Sequence, residues 1–435
     1  MNGLDEFFDY INSLGFERFI RIFWFFVFFE LFRYMIVDLI VLTIAKILKR
    51  LNRKKIKEAF HRLDLEQPLV SIIIPGKNEG KHIFKLVKSL REQTYKNVEI
   101  IVVDDGSDDD TPTIGRDMER NGFIDKFIRN EFRGGKASAA NLALRLTKGK
   151  FIVHLDADCS YDFDAIEQIL LPFYLDSKVG GVGGNVSVRN YKKSLAATLQ
   201  AIEYYDTISI GRVVASQLGI YRIISGAFGA FRADAMQQFQ GWDIGPGLDG
   251  DISVKIRKMG YKVKFASDAV CLTNAPDTFR KLAKQRLRWD KSLIRFRVRK
   301  HRDVFYPSQH FQFSNFFSFL ENITYNIVLN VKWYIYFFDM VFNFPHELPF
   351  ILSMNFFLYT CTNYFKFFVF SLYRSEKNVG IAYFLPYLPL MVIYFGYYLR
   401  IVRSIAYIQE VFFKKSYDEP WNPPKTSKHA KELGL

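Results

Sequence analysis

Residues 151–158 read FIVHLDAD. The first five positions are apolar or β-branched apart from His154, and turn-forming or acidic residues bound them, so the stretch Phe151 to Asp156 reads as a buried strand. It ends on Asp156-Ala157-Asp158. Two carboxylates at i and i+2 of an extended chain point the same way. Such a pair suits a hard divalent cation, which takes oxygen ligands, keeps several waters and binds phosphate oxygens.

Outward from this strand the pattern repeats. Val70 to Pro75, Val98 to Asp104, Val179 to Val188 and Val263 to Ala266 are further β-branched runs bounded by turn residues. Between them, His82 to Gln93, Lys136 to Leu146, Asp164 to Tyr174 and Asp249 to Met259 read as helices. Alternation of this kind predicts an α/β domain with a largely parallel sheet, which binds ligands beyond the carboxyl ends of its strands. Acidic or turn residues stand at three of those ends.

The 435 residues carry a formal net charge of +15, with 45 Phe and 24 Tyr. A basic surplus suits nucleic acid or an anionic membrane face. The aromatics lie in long apolar runs, which favours a bilayer over nucleic acid. Mean hydropathy is −0.02, so polar and apolar sequence must be segregated along the chain. Phe19 to Leu48 is long enough to span a bilayer, although it contains Glu30, Arg33 and Asp38, which must pair or face other helices. Met1 to Leu14 is acidic rather than basic, so no cleaved leader is expected. The basic run Lys49 to Lys57 marks the cytoplasmic end of the span and places the polar middle of the chain in the cytoplasm. Three more apolar stretches follow, Ile323 to Phe342, Leu348 to Leu372 and Ile381 to Phe413, the last predicted to bend at Pro386 and Pro389. Three full crossings would leave the Lys-rich tail outside, against the positive-inside rule, so one stretch is interfacial or re-entrant, or one hides two crossings. Cys159, Cys271 and Cys361 are too scattered for a disulfide framework or a zinc site, and the seven histidines form no metal-binding pattern.

Further motifs fall at the other strand ends. Pro75-Gly-Lys-Asn-Glu79 can present backbone amides and a carboxylate to a nucleotide, and Val103-Asp-Asp-Gly-Ser107 offers carboxylates to a base or ribose. Asp108 to Asp110 reads as a solvated loop and helix cap. Arg133-Gly-Gly-Lys136 opens a helix, where backbone N–H groups and a lysine can approach phosphate; an ordinary helix start reads the same way. In Gly247-Leu-Asp-Gly-Asp251 one aspartate can cap the next helix and the other can serve as a general base. Thr278 to Arg302 reads as a basic amphipathic helix in the membrane interface, its stripe of Phe279, Leu282, Trp289, Leu293 and Phe296 interrupted by Arg286. On it Gln285, Arg288 and Trp289 share a face, offering an amide, a guanidinium for a diphosphate and an indole on which a sugar ring can pack.

Taken in order, from about Leu69 to Trp289, these motifs resemble those of processive family 2 glycosyltransferases, the synthases of cellulose, chitin, hyaluronan and poly-N-acetylglucosamine; Gln285-Arg-Leu-Arg-Trp289 matches the family's QxxRW motif. The resemblance implies a cytoplasmic GT-A domain (58–275) between an N-terminal transmembrane helix with its linker (1–57) and interfacial helices (276–318), then transmembrane helices (319–413) and a tail (414–435). It implies an inverting transfer from a UDP-sugar, UDP-N-acetylglucosamine before UDP-glucose, onto a growing glycan that is carried across the inner membrane, with accessory export subunits as further partners. Asp105 would bind uridine, Lys136 the diphosphate, and Asp156 and Asp158 Mg²⁺ or Mn²⁺ with UDP. Ser225 to Arg232 would line the acceptor and Asp249 would be the catalytic base. Gln285 and Arg288 would hold the donor and Trp289 would stack on the acceptor. Trp421, in Trp421-Asn-Pro-Pro-Lys-Thr426, would belong to a segment closing over UDP. Leu248 stands where the family has glutamate, and Lys77 where it has an aromatic. A non-processive transferase that adds one sugar to a lipid shares similar motifs, and product size separates the two.

Overall fold

The computed structural model describes residues 21–24, 26–243, 248–373, 380–419 and 422–433, with residues 13, 15 and 17 besides. The Glu30 side chain, Gly247, the Leu248 side chain and Trp421 lie outside the described residues.

The centre is one eight-stranded sheet, built from β1 (Val70–Gly76), β2 (Val98–Asp104), β3 (Lys126–Arg129), β4 (Phe151–Leu155), β5 (Ser160–Tyr161), β6 (Val179–Val188), β7 (Phe228–Arg232) and β8 (Lys262–Thr273). Their spatial order is β3-β2-β1-β4-β7-β6-β8-β5. The first four strands in that order are parallel, and β6 and β8 are parallel to each other. β7 runs antiparallel to β4 and β6, and β5 antiparallel to β8. The sheet is therefore mixed where the sequence pattern predicts a largely parallel one. β3, β5 and β7 are four, two and five residues long, too short for periodicity to register against a loop.

Strand alternation explains why both faces are apolar. Val70, Ile72, Ile74, Ile100, Val102, Val153 and Leu155 enter one core with Ile83, Leu86, Val87 and Leu90 of the Gly80–Arg91 helix and Ile166, Ile169 and Leu170 of the Ala165–Leu175 helix. Ile73, Ile101, Val103 and Ile152 enter the other, against Ala137, Ala139, Ala140 and Ala143 of the Lys136–Leu144 helix and Ile252 and Ile256 of the Leu248–Lys258 helix. A sheet covered on both sides needs such continuous runs. The alanines let the Lys136–Leu144 helix approach the strands closely, which draws its first residue to their carboxyl ends.

The apolar stretches form the helices Phe313–Ile323, Leu329–Asn343 and Leu348–Ser371 and a broken pair, Ile381–Tyr387 and Leu390–Phe413, bent by 62°. The break falls at Leu388–Pro389, where proline lacks an N–H donor and fixes φ, while Pro386, also predicted to bend the stretch, sits inside the first arm at the start of the Leu385–Tyr387 turn. Among the described residues no single helix is long and apolar enough to cross a membrane; the bent pair passes that test jointly. Arg33 satisfies its charge on Asp38 at 2.6 Å and Glu321 at 3.2 Å.

The basic helix runs from Phe279 to Leu293 and continues as a wider turn to Lys300. Beyond Phe279, which is exposed, its stripe is covered by protein. Leu282 packs with Phe384, Leu388, Met391 and Leu399 of the bent pair, and Trp289 packs on the sheet's first core. Arg286 does not break the stripe, because it is buried on a carboxylate.

Asp251 resolves half of the Asp249–Asp251 ambiguity. It is 3 % exposed and pairs with Lys300 at 2.8 Å, His301 Nε2 at 2.6 Å and Lys255 at 3.4 Å, fastening its helix to the end of the basic helix. Burial pushes its carboxyl up, but His301, Lys300 and Lys255 outweigh that and hold it well below the usual carboxylate range. Its contribution to stability is complete above the unfolded aspartate value of about 3.9 and is lost as pH falls towards the depressed folded one. Asp251→Asn is expected to cost about 3 kcal/mol, the lower range for breaking a buried ion pair, seen as a lower melting temperature at pH 7 that converges on wild type under strongly acidic conditions.

Candidate active site

The parallel register of β1 and β2 places Gly76 beside Asp104, and the Asp105 N–H donates to the Gly76 carbonyl at 2.8 Å. Lys77, where the resemblance expects an aromatic, donates from Nζ to the Gly106 carbonyl at 2.8 Å, and the Asn78 N–H donates to Ser107 Oγ at 2.8 Å. The two loops are thus laced together. Asp109, not Asp110, does the local capping, accepting from the Thr111 N–H at 3.0 Å and the Gly80 N–H at 3.3 Å.

Asp105 is 4 % exposed. Its two oxygens accept the backbone N–H groups of Gly134 and Gly135, each at 2.8 Å, and Asn130 Nδ2 adds a third bond at 3.2 Å. The predicted base-binding carboxylate is therefore also the anchor of the glycine loop. Gly135 has φ +90°, a conformation side chains rarely adopt. One residue on, Lys136 Nζ meets Asp156 Oδ1 in an ion pair. Burial depresses the Lys136 ammonium, but Asp156 and Asp249 more than restore it, so it stays charged.

Asp156 and Asp158 sit just past β4, which ends at Leu155; the chain turns at Ala157 and Asp158 instead of remaining extended. Strand alternation is therefore not what groups them. Both act on Glu79, whose carboxyl is pushed up to about 7 by burial and then by the charges of Asp158 and Asp156. Glu79 closes the Pro75–Glu79 motif and is the carboxylate the sequence reading offers to a nucleotide; its place beside Asp156 and Asp158 is what the sequence does not show. Among the described residues no three His, Cys, Asp or Glu side chains form a metal-binding group. Two half-buried carboxylates, one already holding a lysine ammonium, still make an all-oxygen donor set that suits a hard cation whose remaining ligands are water and phosphate.

Asp249, half-buried at the start of the Leu248–Lys258 helix, lies on Gly226. A Cβ at Gly226 would fall 2.5 Å from Asp249 Oδ1. Burial raises the Asp249 carboxyl above the usual range, partly offset by Lys136 and by the Gly226 backbone N–H; Asp156 raises it further. It therefore lies within electrostatic reach of the Lys136–Asp156 pair. Gly226 is in turn held by His154, whose Nδ1 is 2.7 Å from the Gly226 carbonyl, and His154 is 3 % exposed beside the Trp242 ring. Burial and then Lys136 push His154 down to about 4, so it is neutral and Nδ1 carries the donated proton. Nothing in the strand pattern signals this role; a lone polar residue in FIVHL is the only trace.

On the basic helix Gln285, Arg288 and Trp289 are all half-buried, and the Gln285 side-chain oxygen has no hydrogen-bond partner among the described residues. The tail returns to the glycine loop. Thr426 Oγ1 donates to the Gly134 carbonyl at 3.2 Å, and a Cβ on Gly135 would meet Pro423 Cδ at 3.3 Å and Asn422 Oδ1 at 3.5 Å.

Residues 71–239, which contain Asp105, Lys136, Asp156, Asp158 and Gly226, match the family described as glycosyl transferase family 2. The chain carries a family 2 glycosyltransferase domain. The chain is 32 % identical over 222 residues to a poly-β-1,6-N-acetyl-D-glucosamine synthase of Staphylococcus epidermidis, covering 51 % of this chain and 53 % of that protein. The corresponding Staphylococcus aureus synthase is also 32 % identical, over 223 residues, with the same coverage. The chain thus spans about half the length of the curated relatives it matches. In fold it is similar to the mannosyltransferase PcManGT of Pyrobaculum calidifontis, solved in complex with GDP-Man and Mn²⁺, with a TM-score of 0.54 and 19 % identity over 86 % of this chain and 99 % of that one. The family 2 domain has the α/β, GT-A-like architecture expected from the sequence.

Gly226→Ala is expected to displace the Asp249 carboxylate and lower sugar transfer by at least about 100-fold, the scale of losing a positioned general base, while the circular dichroism spectrum stays that of wild type.

Proposed function

We propose that this protein polymerises N-acetylglucosamine from UDP-N-acetylglucosamine into an exported polysaccharide, by an inverting transfer on the cytoplasmic face of the membrane. The observation that carries the reading is Asp249: a carboxylate raised by burial, seated on Gly226 and electrically coupled to Lys136 and Asp156. The choice of sugar rests on the two staphylococcal relatives.

Asp249 takes the proton of the acceptor hydroxyl as that oxygen attacks the anomeric carbon. The new glycosidic C–O bond forms on the opposite face from the breaking bond to UDP, and UDP leaves with the electron pair. Lys136, at a glycine-opened helix start, places positive charge and N–H dipoles where the diphosphate gathers charge. Arg288 adds a guanidinium from the basic helix, and Trp289 offers its face to the acceptor ring. Asp156 and Asp158 would hold Mg²⁺ or Mn²⁺, which when bound neutralises the diphosphate. Asp105 keeps the glycine loop in register beneath the nucleotide. The tail, resting on Gly134 and Gly135, supports a role in covering the nucleotide.

The tail contact also bears on topology. Tail and catalytic domain lie on one side in this reading, so residues 313–413 cross the bilayer an even number of times.

Purified protein in nanodiscs, supplied with one radiolabelled UDP-sugar at a time and Mg²⁺ or Mn²⁺, is expected to make high-molecular-weight product from UDP-N-acetylglucosamine alone, and none after EDTA. A lipid-extractable single-sugar product would instead make it a lipid glycosyltransferase. Asp249→Asn is expected to abolish transfer while UDP binding persists. Because the base must be ionised and its pKa is raised, kcat/KM of wild type should fall on acidification at a pH above the ordinary aspartate range, where an unperturbed carboxylate would still be active.

A further inference from the structure

Between the family 2 domain and the bent helix pair lies a buried polar trio that the proposed chemistry does not use. Glu203, at the end of the Leu195–Glu203 helix, is 6 % exposed. Its Oε2 accepts Arg286 Nη2 at 2.8 Å and the Tyr394 hydroxyl at 2.7 Å. Arg286 in turn places its Cζ over the Trp289 ring, 4.4 Å from its centre, and also approaches the Tyr204 ring at 6.0 Å. Each member comes from a different part of the chain: the domain, the basic helix and the bent pair.

We infer that the Glu203–Arg286 pair is the positioning unit of the acceptor platform, fixing the Trp289 indole from behind, with Tyr394 tying that unit to the bent helix pair. The inference rests on the proposed polymerisation, in which Trp289 meets the acceptor sugar.

The physical case has three parts. Glu203 and Arg286 are almost out of water, where a buried pair costs desolvation and survives only with good geometry and further bonds; the Tyr394 hydroxyl supplies one. A guanidinium stacked on indole holds the ring by a cation–π contact that strengthens as water is excluded, and its plane resists rotation in a way an ammonium does not. Finally, Trp289 is three residues after Arg286 on the helix, so the cation supports the ring within one helical turn. The same helix is bolted to the bent pair by Tyr398, whose hydroxyl donates to the Phe279 carbonyl at 2.6 Å, and by Arg403, 3.5 Å from Asp290. An indole fixed in this way presents one face to successive acceptor ends, which repeated addition requires and donor binding does not.

The test separates acceptor from donor. Arg286→Lys keeps the charge on Glu203 but removes the planar guanidinium from the indole; Tyr394→Phe removes one hydroxyl and leaves the ring. Wild type and both variants, in nanodiscs with Mn²⁺, are assayed for UDP affinity and for transfer to an added N-acetylglucosamine oligosaccharide. Arg286→Lys should raise the oligosaccharide KM about tenfold and shorten the polymer, with UDP affinity within twofold of wild type, and Tyr394→Phe should move the same parameter by about threefold. An unchanged acceptor KM in Arg286→Lys overturns the inference. So does a parallel loss of UDP affinity and acceptor KM, which would mark Arg286 as a prop of the fold alone. If wild type binds UDP but transfers no sugar to any oligosaccharide, it is the polymerisation reading that fails, and the inference goes with it.

Discussion

The grip of Asp105 on the backbone of Gly134 and Gly135 sets the geometry on which the rest of the site depends. Hydrogen bonds to a carboxylate are about twice as strong as neutral ones, and here two converge from consecutive residues. They bring the start of the Lys136–Leu144 helix to the carboxyl end of β2. Because β2, β1 and β4 are parallel and in register, that end is shared with Glu79 and Asp156. Lys136 then has one acidic neighbourhood to enter, and it pairs with Asp156. Without the Asp105 anchor, three like-charged carboxylates would face one another across a loop with no fixed cation.

The reading of the sequence succeeds where chemistry and periodicity coincide. β2 and β6 run from Val98 to Asp104 and from Val179 to Val188, as their residues predict, because both are long and carry recurring β-branched residues, which in β6 (Val179, Val182, Val186 and Val188) persist through four interior glycines. Motifs at strand ends are legible because a carboxylate after an apolar run is conspicuous. What escapes is positional. β7, with Gly229 and Ala230 at its centre, has no β-branched residue, and its antiparallel insertion changes the sheet's direction without leaving a pattern. Asp249 and Asp251 are indistinguishable as letters two apart; only the fold shows one turned to the Lys136–Asp156 pair and the other to Lys300 and His301. Arg286 reads as a flaw in an apolar stripe because its partner, Glu203, lies 83 residues earlier.

The same contrast holds for the helices outside the sheet domain. A helical stripe predicts an apolar surface without saying what covers it, lipid or protein. On the basic helix the cover is the bent pair and the sheet's own core. Its cations reach separate partners: Arg286 is buried on Glu203, while Lys291 pairs with Glu419 at the start of the tail. One helix thereby links the tail to the bent pair.

His154 has a consequence for the whole catalytic strand. Its ring remains uncharged throughout the range in which a histidine in water would change state. The contact that steadies Gly226 therefore does not come and go with acidity over that range. The imidazole is a spacer with a fixed dipole, holding the Gly226 carbonyl in place whatever the nearby carboxylates and Lys136 do.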